Sequence, residues 1–215
     1  MKIAIIPAFN EEETIYQVVK ETKKYVDKVI AVDDGSTDRT YEKAREAGSD
    51  ALKHIINMGK GFTLKTGFKA AQKYNPDHII LLDADGQHAP KDIPKLVEQL
   101  KGFDIALGVR ETSGASAIFR FGNWFLNTLF FVLFRIKVTD TQSGFRAFNK
   151  KAVEAIKWKS NGYAVETEML TQIKKHNLTY TEVSISTTYH NVYKGTTIFD
   201  GIKIAFKMLL WKLEE

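Results

Sequence analysis

Two carboxylates stand two residues apart directly after an apolar run: Asp83-Ala84-Asp85 follows Ile79-Ile80-Leu81-Leu82. At the end of a buried strand such a pair can bind a hard divalent cation, directly and through water. A cation held there can grip a diphosphate and offset the charge that builds as it leaves. Gln87 and His88 follow as further possible ligands, although the same pattern occurs in ordinary turns and His88 alone suits a surface or packing position. A second acidic cluster, Asp33-Asp34-Gly35-Ser36-Thr37-Asp38, ends another apolar stretch. Gly35 supplies unusual backbone angles and Ser36, Thr37 or Asp38 a helix cap. Two carboxylates ahead of that turn exceed what a cap requires and point to nucleotide recognition. A third cluster, Asn10-Glu11-Glu12-Glu13, follows the first apolar run, where its acids also favour a helix N-terminus. Asn57-Met58-Gly59-Lys60-Gly61 opens a helix without forming a P-loop or a dinucleotide fingerprint. Lys60, beside that helix N-terminus, suits a phosphate.

The elements that must position these residues are legible as alternating apolar runs and amphipathic stretches. Strands are expected over residues 2–7, 28–33, 51–55, 78–83 and 104–109, with a helix over 12–25, where Ile15, Val18, Val19 and Thr22 recur at i, i+3, i+4 and i+7. The next helix runs to about Ala47 and ends at Gly48. Such a βαβαβ alternation implies a mostly parallel sheet covered by helices, with ligands beyond the carboxyl ends of the strands. All three acidic clusters fall at those ends, so they should converge on one rim. The second half is less regular: an aromatic helix over 116–134, a strand over 143–149, a helix over 164–176, a strand over 181–187 and a last helix from about Ile198. Arg120, Asn123 and Asn127 fall on one helical face, an arrangement suited to an anion beside an aromatic surface; the alternative for Arg120 is a snorkelling surface arginine.

At 215 residues, 44% hydrophobic and 27% charged, the chain suits one soluble domain. It has no cysteine, which excludes disulfides, thiolate chemistry and sulfur-ligated zinc and fits the cytoplasm. No secretory signal is readable, and no run approaches the ~20 apolar residues of a membrane span. The net charge of +5 is uneven: residues 1–107 carry 16 Lys+Arg against 17 Asp+Glu, residues 108–215 carry 15 against 9. Besides a plain solvated surface, this suits a first half that holds a cation and a second that meets phosphates or anionic lipid. No basic run interleaves with aromatics in a nucleic-acid motif, so nucleic acid is not an expected partner.

Five short motifs occur in order: Pro7-Ala8-Phe9-Asn10-Glu11, Val32-Asp33-Asp34-Gly35-Ser36, Asn57-x-Gly59-Lys60-Gly61, Asp83-Ala84-Asp85-Gly86-Gln87 and Ser143-Gly144-Phe145-Arg146. Each is weak alone. Together they resemble the inverting family 2 glycosyltransferases, over nearly the whole chain, and within them the dolichyl-phosphate mannose synthase and polyprenyl-phosphate glucosyltransferase branch. The resemblance implies a single α/β domain of GT-A (Rossmann-like) fold over residues 1–215, with a nucleotide-sugar and metal half (1–107) and an acceptor half with interfacial helices (108–215). It implies that Pro7, Ala8, Asn10, Glu11, Asp33 and Asp34 line the nucleotide pocket, with Lys60 and Ala84 also on the donor. Asp83, Asp85 and Gln87 would hold Mg²⁺ or Mn²⁺, Asp85 counting among the catalytic residues. Arg110, Arg120, Ser143 and Arg146 would surround the acceptor phosphate, and Asp140 and Glu168 match acidic positions near sugar and acceptor.

Two features depart from that branch. Dolichyl-phosphate mannose synthases carry a late arginine near a Gly-x-Ser segment; residues 189–197 have none, so Lys194 would substitute, and the donor stays open between GDP-mannose and UDP-glucose types. Some relatives also continue into membrane-spanning helices beyond the point where this sequence ends.

The implied reaction is direct displacement at the anomeric carbon with inversion, a polyprenyl phosphate oxygen attacking opposite the departing diphosphate. Ionised phosphate needs no strong base, so catalysis rests on positioning two anions. A family 2 transferase acting on a sugar hydroxyl is the alternative and would need Asp140, Glu166 or Glu168 as base. A sugar-nucleotide pyrophosphorylase is disfavoured by residues 7–13, which are not Gly- and Arg-rich, and a silent binding module by the presence of Asp83, Asp85 and Gln87. The last helix, with Phe199, Ile202, Phe206, Leu209, Leu210 and Leu213 at helical spacing and Lys203 and Lys207 one turn apart, and the uncharged segment from Phe121 to Phe134 read as interfacial helices. The expected setting is therefore the cytoplasmic face of a membrane, held peripherally, with an integral-membrane partner or a second copy as further partners; completing the core or a dimer interface is the other reading of both helices.

Overall fold

The first apolar run forms strand β1 (Lys2–Ala8), buried along all but its first residue. Such a run is what a strand covered on both faces requires. β1 pairs in parallel with β2 (Lys28–Asp33) and β4 (His78–Leu81), and β3 (Asp50–Lys53) adds in parallel outside β2. Beyond β4, β6 (Arg146–Asn149) runs antiparallel between β4 and β5 (Ile105–Arg110), and β7 (Tyr180–Ile185) pairs in parallel with β5. The sheet order is β3-β2-β1-β4-β6-β5-β7, mostly parallel as expected. The computed structural model describes residues 1–111, 117–188 and 198–213.

Alternation along the strands divides the core into two faces. Ala4 and Ile6 of β1, with Ala31 and Ile80, meet α1 (Ile15–Thr22), α2 (Thr40–Glu46) and α4 (Ile93–Gln99) through Ile15, Val19, Ala44 and Leu96. Ile3 and Ile5, with Val32, Leu81 and Phe148, meet α3 (Lys60–Gln72), α5 (Ala117–Phe134), α6 (Lys150–Ala155), α7 (Val165–Lys175) and α8 (Ile198–Leu213) through residues such as Leu64, Phe68, Phe130, Val153, Met169 and Met208. The result is a three-layer α/β arrangement with a mostly parallel sheet, as expected.

Several boundaries differ from expectation. β3 stops at Lys53: as an edge strand it pairs only with β2, and beyond it Ile55 is 99% exposed. β4 stops at Leu81, leaving Asp83 and Asp85 on a free turn beyond the sheet rather than in the ladder. α1 begins only at Ile15, because Glu11 caps the turn before it, its carbonyl accepting from Thr14 and Ile15 and its Oε2 from Thr14 Oγ1.

α5 corrects the expectation that no run is long enough to span a membrane. Its 18 residues meet that criterion by length and composition, the polar Arg120, Asn123 and Asn127 having masked it in the sequence. The helix nevertheless buries Leu126, Phe130 and Phe134 in the core. α8 packs beside it. Ile204 and Met208 form its core seam, whereas the stripe from Phe199 (77% exposed) to Leu213 (84%) faces outward.

Candidate active site

Because β1, β2 and β4 are parallel neighbours, their carboxyl ends bring the three acidic clusters to one rim. Asn10, at φ 53°, ties two of them together: its N–H donates to Ser36 Oγ (2.9 Å) and its Oδ1 accepts from the Thr37 N–H (3.0 Å). The Glu11 N–H donates to Thr40 Oγ1 (2.8 Å). Asp34 then anchors the third loop. Its Oδ1 accepts from the Met58 N–H (3.0 Å) and lies 2.7 Å from His54 Nδ1, and its Oδ2 accepts from the Gly59 N–H (2.7 Å). Gly59, at φ +91°, admits no ordinary side chain in that turn.

The expected role of Asp33 in the nucleotide pocket does not hold. Its carboxylate turns away from the rim to accept from the Ser36 N–H (2.9 Å) and hydroxyl, with Lys53 at 3.4 Å, and it is 2% exposed. Neighbouring residues of a strand point to opposite faces, so only one of the pair can reach the ligand side.

At the centre of the rim, Asp83 Oδ1 lies 2.7 Å from Lys60 Nζ, which lies 2.6 Å from Glu166 Oε1 on the far wall. Burial opposes the charge on Lys60, but Asp83 and Glu166 outweigh it and hold the ammonium far above the ordinary lysine value. Burial likewise opposes ionisation of Asp83, yet Lys60 and His88 hold it well below the carboxylate range. Asp85 moves the other way: burial, then the charge of Asp83, raise it. Its Oδ1 accepts from the Gln87 N–H at 2.9 Å. Gly144 presses on this centre from behind, a Cβ there colliding with the Asp83 carboxylate. His88, 5% exposed, packs against Phe145 with its Nε2 3.7 Å from Asp83 Oδ2.

On the side where the acceptor is expected, Arg110 is gripped by Asp140, Nε to Oδ2 at 2.7 Å and Nη2 to Oδ1 at 2.8 Å, and its guanidinium stacks over Phe119, 5.1 Å from the ring centre. Burial tends to raise the Asp140 carboxyl, but Arg110 outweighs it and holds it low. Asp140 therefore lies behind Arg110, outside the cleft lining. Three further expectations are corrected. Arg146, 1% exposed, spends Nε, Nη1 and Nη2 on the carbonyls of Ser143, Glu166 and Thr141 and lies outside the cleft lining; burial lowers it to about 10, still charged at neutral pH. Ser143 is buried beside it, and Gln142 reaches the cleft in its place. Glu168 accepts from the N–H groups of Lys159 (2.7 Å) and Ser160 (2.8 Å), pinning the 159–162 loop under α3.

Glu166, two positions earlier on α7, is the carboxylate that faces the cleft. It is 5% exposed, and Oε2 has no hydrogen-bond partner among the described residues. A two-residue step turns a helix by about 200°, so Glu166 and Glu168 cannot share a wall, and sequence spacing does not say which one faces in. Arg120 is exposed and outside the cleft lining; Asn123 and Leu126 line it, while Asn127 binds Thr139 and Thr141. Lys194 lies outside the described residues.

These groups open on one cleft of about 1410 Å³. Its rim half is polar, lined by Pro7, Ala8, Asn10, Glu11, Asp34, Lys60, Asp83, Ala84, Asp85, Gln87 and Glu166; its other half is apolar, lined by Ile118, Phe119, Phe121, Phe125 and Leu126 of α5 and Ile202 and Ala205 of α8, with Arg110 at the seam. The family model of glycosyl transferase family 2 matches residues 3–157. The chain belongs to that family.

Among curated relatives of this family 2 transferase, the UDP-N-acetylglucosamine–dolichyl-phosphate N-acetylglucosaminyltransferase of Methanococcus voltae is 33% identical, over 97% of this chain and 95% of that one. The dolichol-phosphate mannosyltransferase of Pyrococcus furiosus is 31% identical, over 100% of this chain and 65% of that one. Glucosyl-3-phosphoglycerate synthase from Mycobacterium tuberculosis, solved with Mn²⁺, UDP-glucose and phosphoglyceric acid, superimposes with a TM-score of 0.78 over 100% of this chain and 80% of its own, at 20% identity, and shares the fold. In the family 2 chain the donor set suits a hard cation: Asp83 and Asp85 carry oxygen ligands only, and their mutual repulsion is what a cation between them relieves. Among the described residues no group of three His, Cys, Asp or Glu side chains surrounds one point, so most of the coordination would fall to oxygens from outside the protein.

Proposed function

We propose that this glycosyltransferase transfers a hexose from a nucleotide-sugar to a polyprenyl phosphate, with a divalent cation at Asp83 and Asp85. The observation that carries this reading is the two-natured cleft, with carboxylates at the strand ends, an apolar wall from α5 and α8, and a charged Arg110 where they meet. A sugar nucleotide suits the first part and a prenyl chain the second, with its phosphate at the seam. The printed activities of the Methanococcus and Pyrococcus relatives support the lipid-phosphate acceptor and name donors of two kinds, UDP-N-acetylglucosamine and a mannosyl donor. The Mn²⁺ bound with UDP-glucose in the mycobacterial synthase supports the metal.

In this reading Pro7, Ala8, Asn10, Glu11 and Asp34 bind the nucleotide, Lys60 and Glu166 border the diphosphate and sugar, and Asp140 orients Arg110 toward the acceptor phosphate. Asp83 and Asp85 would hold Mg²⁺ or Mn²⁺, with Gln87 beside them, and the ion would supply positive charge to the departing diphosphate. The acceptor oxygen is already ionised, so the chain's work is to align it with the anomeric carbon and shield it from the donor's charge. Of the three candidate bases for the hydroxyl-acceptor alternative, Asp140 and Glu168 are committed elsewhere and Glu166 is paired with Lys60 through Oε1.

The setting we propose is a membrane surface. α5 and α8 present Phe121, Trp124 and Phe125 beside Ile202, Phe206 and Leu210 to the exterior, next to the cleft mouth, with Arg120 and Lys203 exposed among them. An interfacial helix has this character, and a lipid phosphate lies at headgroup depth. The test is transfer of radiolabelled sugar from a panel of UDP- and GDP-sugars to dolichyl phosphate, undecaprenyl phosphate and unphosphorylated polyprenol, with and without EDTA. Label is expected in a phosphorylated lipid only, and only with metal. Transfer confined to hydroxyl acceptors, or unaffected by EDTA, would overturn the reading.

A further inference from the structure

Lys60 occupies the place that a cation at Asp83 must contest. Its ammonium lies 2.7 Å from Asp83 Oδ1 and 2.6 Å from Glu166 Oε1, joining two walls of the cleft through residues far apart in sequence. Both carboxylates are largely buried, and the lysine side chain is 17% exposed. Although Asp83 Oδ2 stays open, with His88 Nε2 3.7 Å away, an ammonium 2.7 Å from Oδ1 repels any second cation on the same carboxylate. The lysine also solves an electrostatic problem: without it, Asp83, Asp85 and Glu166 would concentrate negative charge in a partly dry site.

We propose that Lys60 is the resident counter-ion of this site and yields Asp83 to a divalent cation only as a donor diphosphate takes up its ammonium, so that cation and donor bind as a coupled pair. The inference rests on the reading of Asp83 and Asp85 as cation ligands. The chemistry of the side chain permits the exchange. An ammonium has three donors on a flexible four-carbon stem, so Lys60 keeps Glu166 while a phosphate oxygen replaces Asp83. A cation arriving alone must share Asp83 with an ammonium 2.7 Å from its Oδ1 and is repelled by it; arriving with a diphosphate that takes up the ammonium, it is not. Glu166 is thereby a positioning residue, holding Lys60 at the height of the diphosphate.

The experiment measures Mn²⁺ affinity by electron paramagnetic resonance of the free ion, with and without UDP or GDP, for wild type, Lys60→Met and Glu166→Gln, each checked by circular dichroism and thermal melting. In wild type, Mn²⁺ should bind weakly alone and at least ~10-fold more tightly with whichever nucleotide the protein accepts, the order expected when the ammonium no longer repels the ion. Lys60→Met should tighten nucleotide-free Mn²⁺ binding by a similar factor and leave binding in the presence of nucleotide nearly unchanged. An equal gain in both states means simple removal of a positive charge and overturns the exchange; so does no gain. Glu166→Gln leaves Asp83 as the charged partner of Lys60 and should weaken nucleotide-free Mn²⁺ binding; unchanged or tighter binding there overturns the proposal, and this arm decides alone if Lys60→Met does not fold. Absence of Mn²⁺ binding in wild type under all conditions removes the cation site itself and the inference with it, whereas a nucleotide-dependent gain in affinity as large in Lys60→Met as in wild type removes only the inference.

Discussion

Replacing Asp140 by asparagine isolates what the Arg110 guanidinium contributes at the seam of the cleft. Asp140 is 3% exposed and accepts from Arg110 Nε at 2.7 Å and Nη2 at 2.8 Å, and from the Gln142 N–H at 3.2 Å. Asparagine keeps one acceptor and the shape but loses the second and the counter-charge. A hydrogen bond to a charged group contributes about 1.5–3 kcal/mol, so a loss of roughly 2–3 kcal/mol is expected. For a chain of this size each kcal/mol moves the melting temperature by about 2–4 °C, which puts the fall at roughly 4–12 °C. The arginine still stacks on Phe119, but its direction is less tightly set without the carboxylate. Acceptor kcat/KM should therefore drop about 10- to 100-fold, equivalent to about 1.4–2.7 kcal/mol of transition-state stabilisation, while nucleotide affinity stays within a factor of two. The assays are a thermal melt, a kinetic titration of polyprenyl phosphate, and calorimetry with the nucleotide. If donor affinity falls as steeply as acceptor efficiency, or if the melting temperature drops with acceptor kinetics intact, the assignment of Arg110 to the acceptor is wrong.

Asp85→Ala should lower turnover by at least ~100-fold, the usual effect of losing one preorganised electrostatic group. Because burial and Asp83 raise the Asp85 carboxyl, its ionised form weakens the fold as pH rises above the ordinary carboxylate range, so the variant should melt no lower than wild type at pH 7; full activity, or a lower melting temperature, refutes this. Asp104 is the opposite case. Burial would raise it, but Lys151, Thr179 and Asn149 hold it at about 2, so its stabilisation is present at neutral pH and lost as pH falls from about 4 to 2. With Lys151 58% exposed and its contribution discounted accordingly, Asp104→Asn should lose about 1–2 kcal/mol at pH 7, a difference that narrows in acid; a pH-independent difference in urea melts argues against it. Replacing Phe206 and Leu210 by serine removes two exposed apolar side chains of α8 without touching the core seam of Ile204 and Met208. Co-sedimentation with anionic liposomes should fall by ~10-fold or more, since burying such a side chain contributes about 1.5–3 kcal/mol, while the melting temperature barely moves; unchanged sedimentation would refute the docking face.

The sequence alone determined the layers and the rim. Unbroken apolar runs such as residues 3–6 and 29–32 demand strands covered on both faces, and helical periodicity between them demands a parallel sheet. Once those strands are parallel neighbours, clusters at their carboxyl ends must meet, whatever the details of packing. Only the tertiary structure decided which members of each cluster face the ligand. Asp33 and Asp34, or Glu166 and Glu168, are chemically alike, and their sorting follows from one residue's rotation on a strand or two on a helix. Arg146 looked like an anion-binding arginine but feeds three backbone carbonyls, two in the turn around Ser143 and one at the start of α7, which are buried and need donors. Lys60 meets Glu166, and Arg110 meets Asp140, across chain separations that no local pattern encodes. In α8 the same helical spacing fits two opposite faces, and the seam that packs is Ile204 and Met208, set by where α5 and α7 lie. Local composition carries periodicity and charge; the partner of each side chain depends on which distant element closes over it, and a buried charge must find that partner or leave the interior.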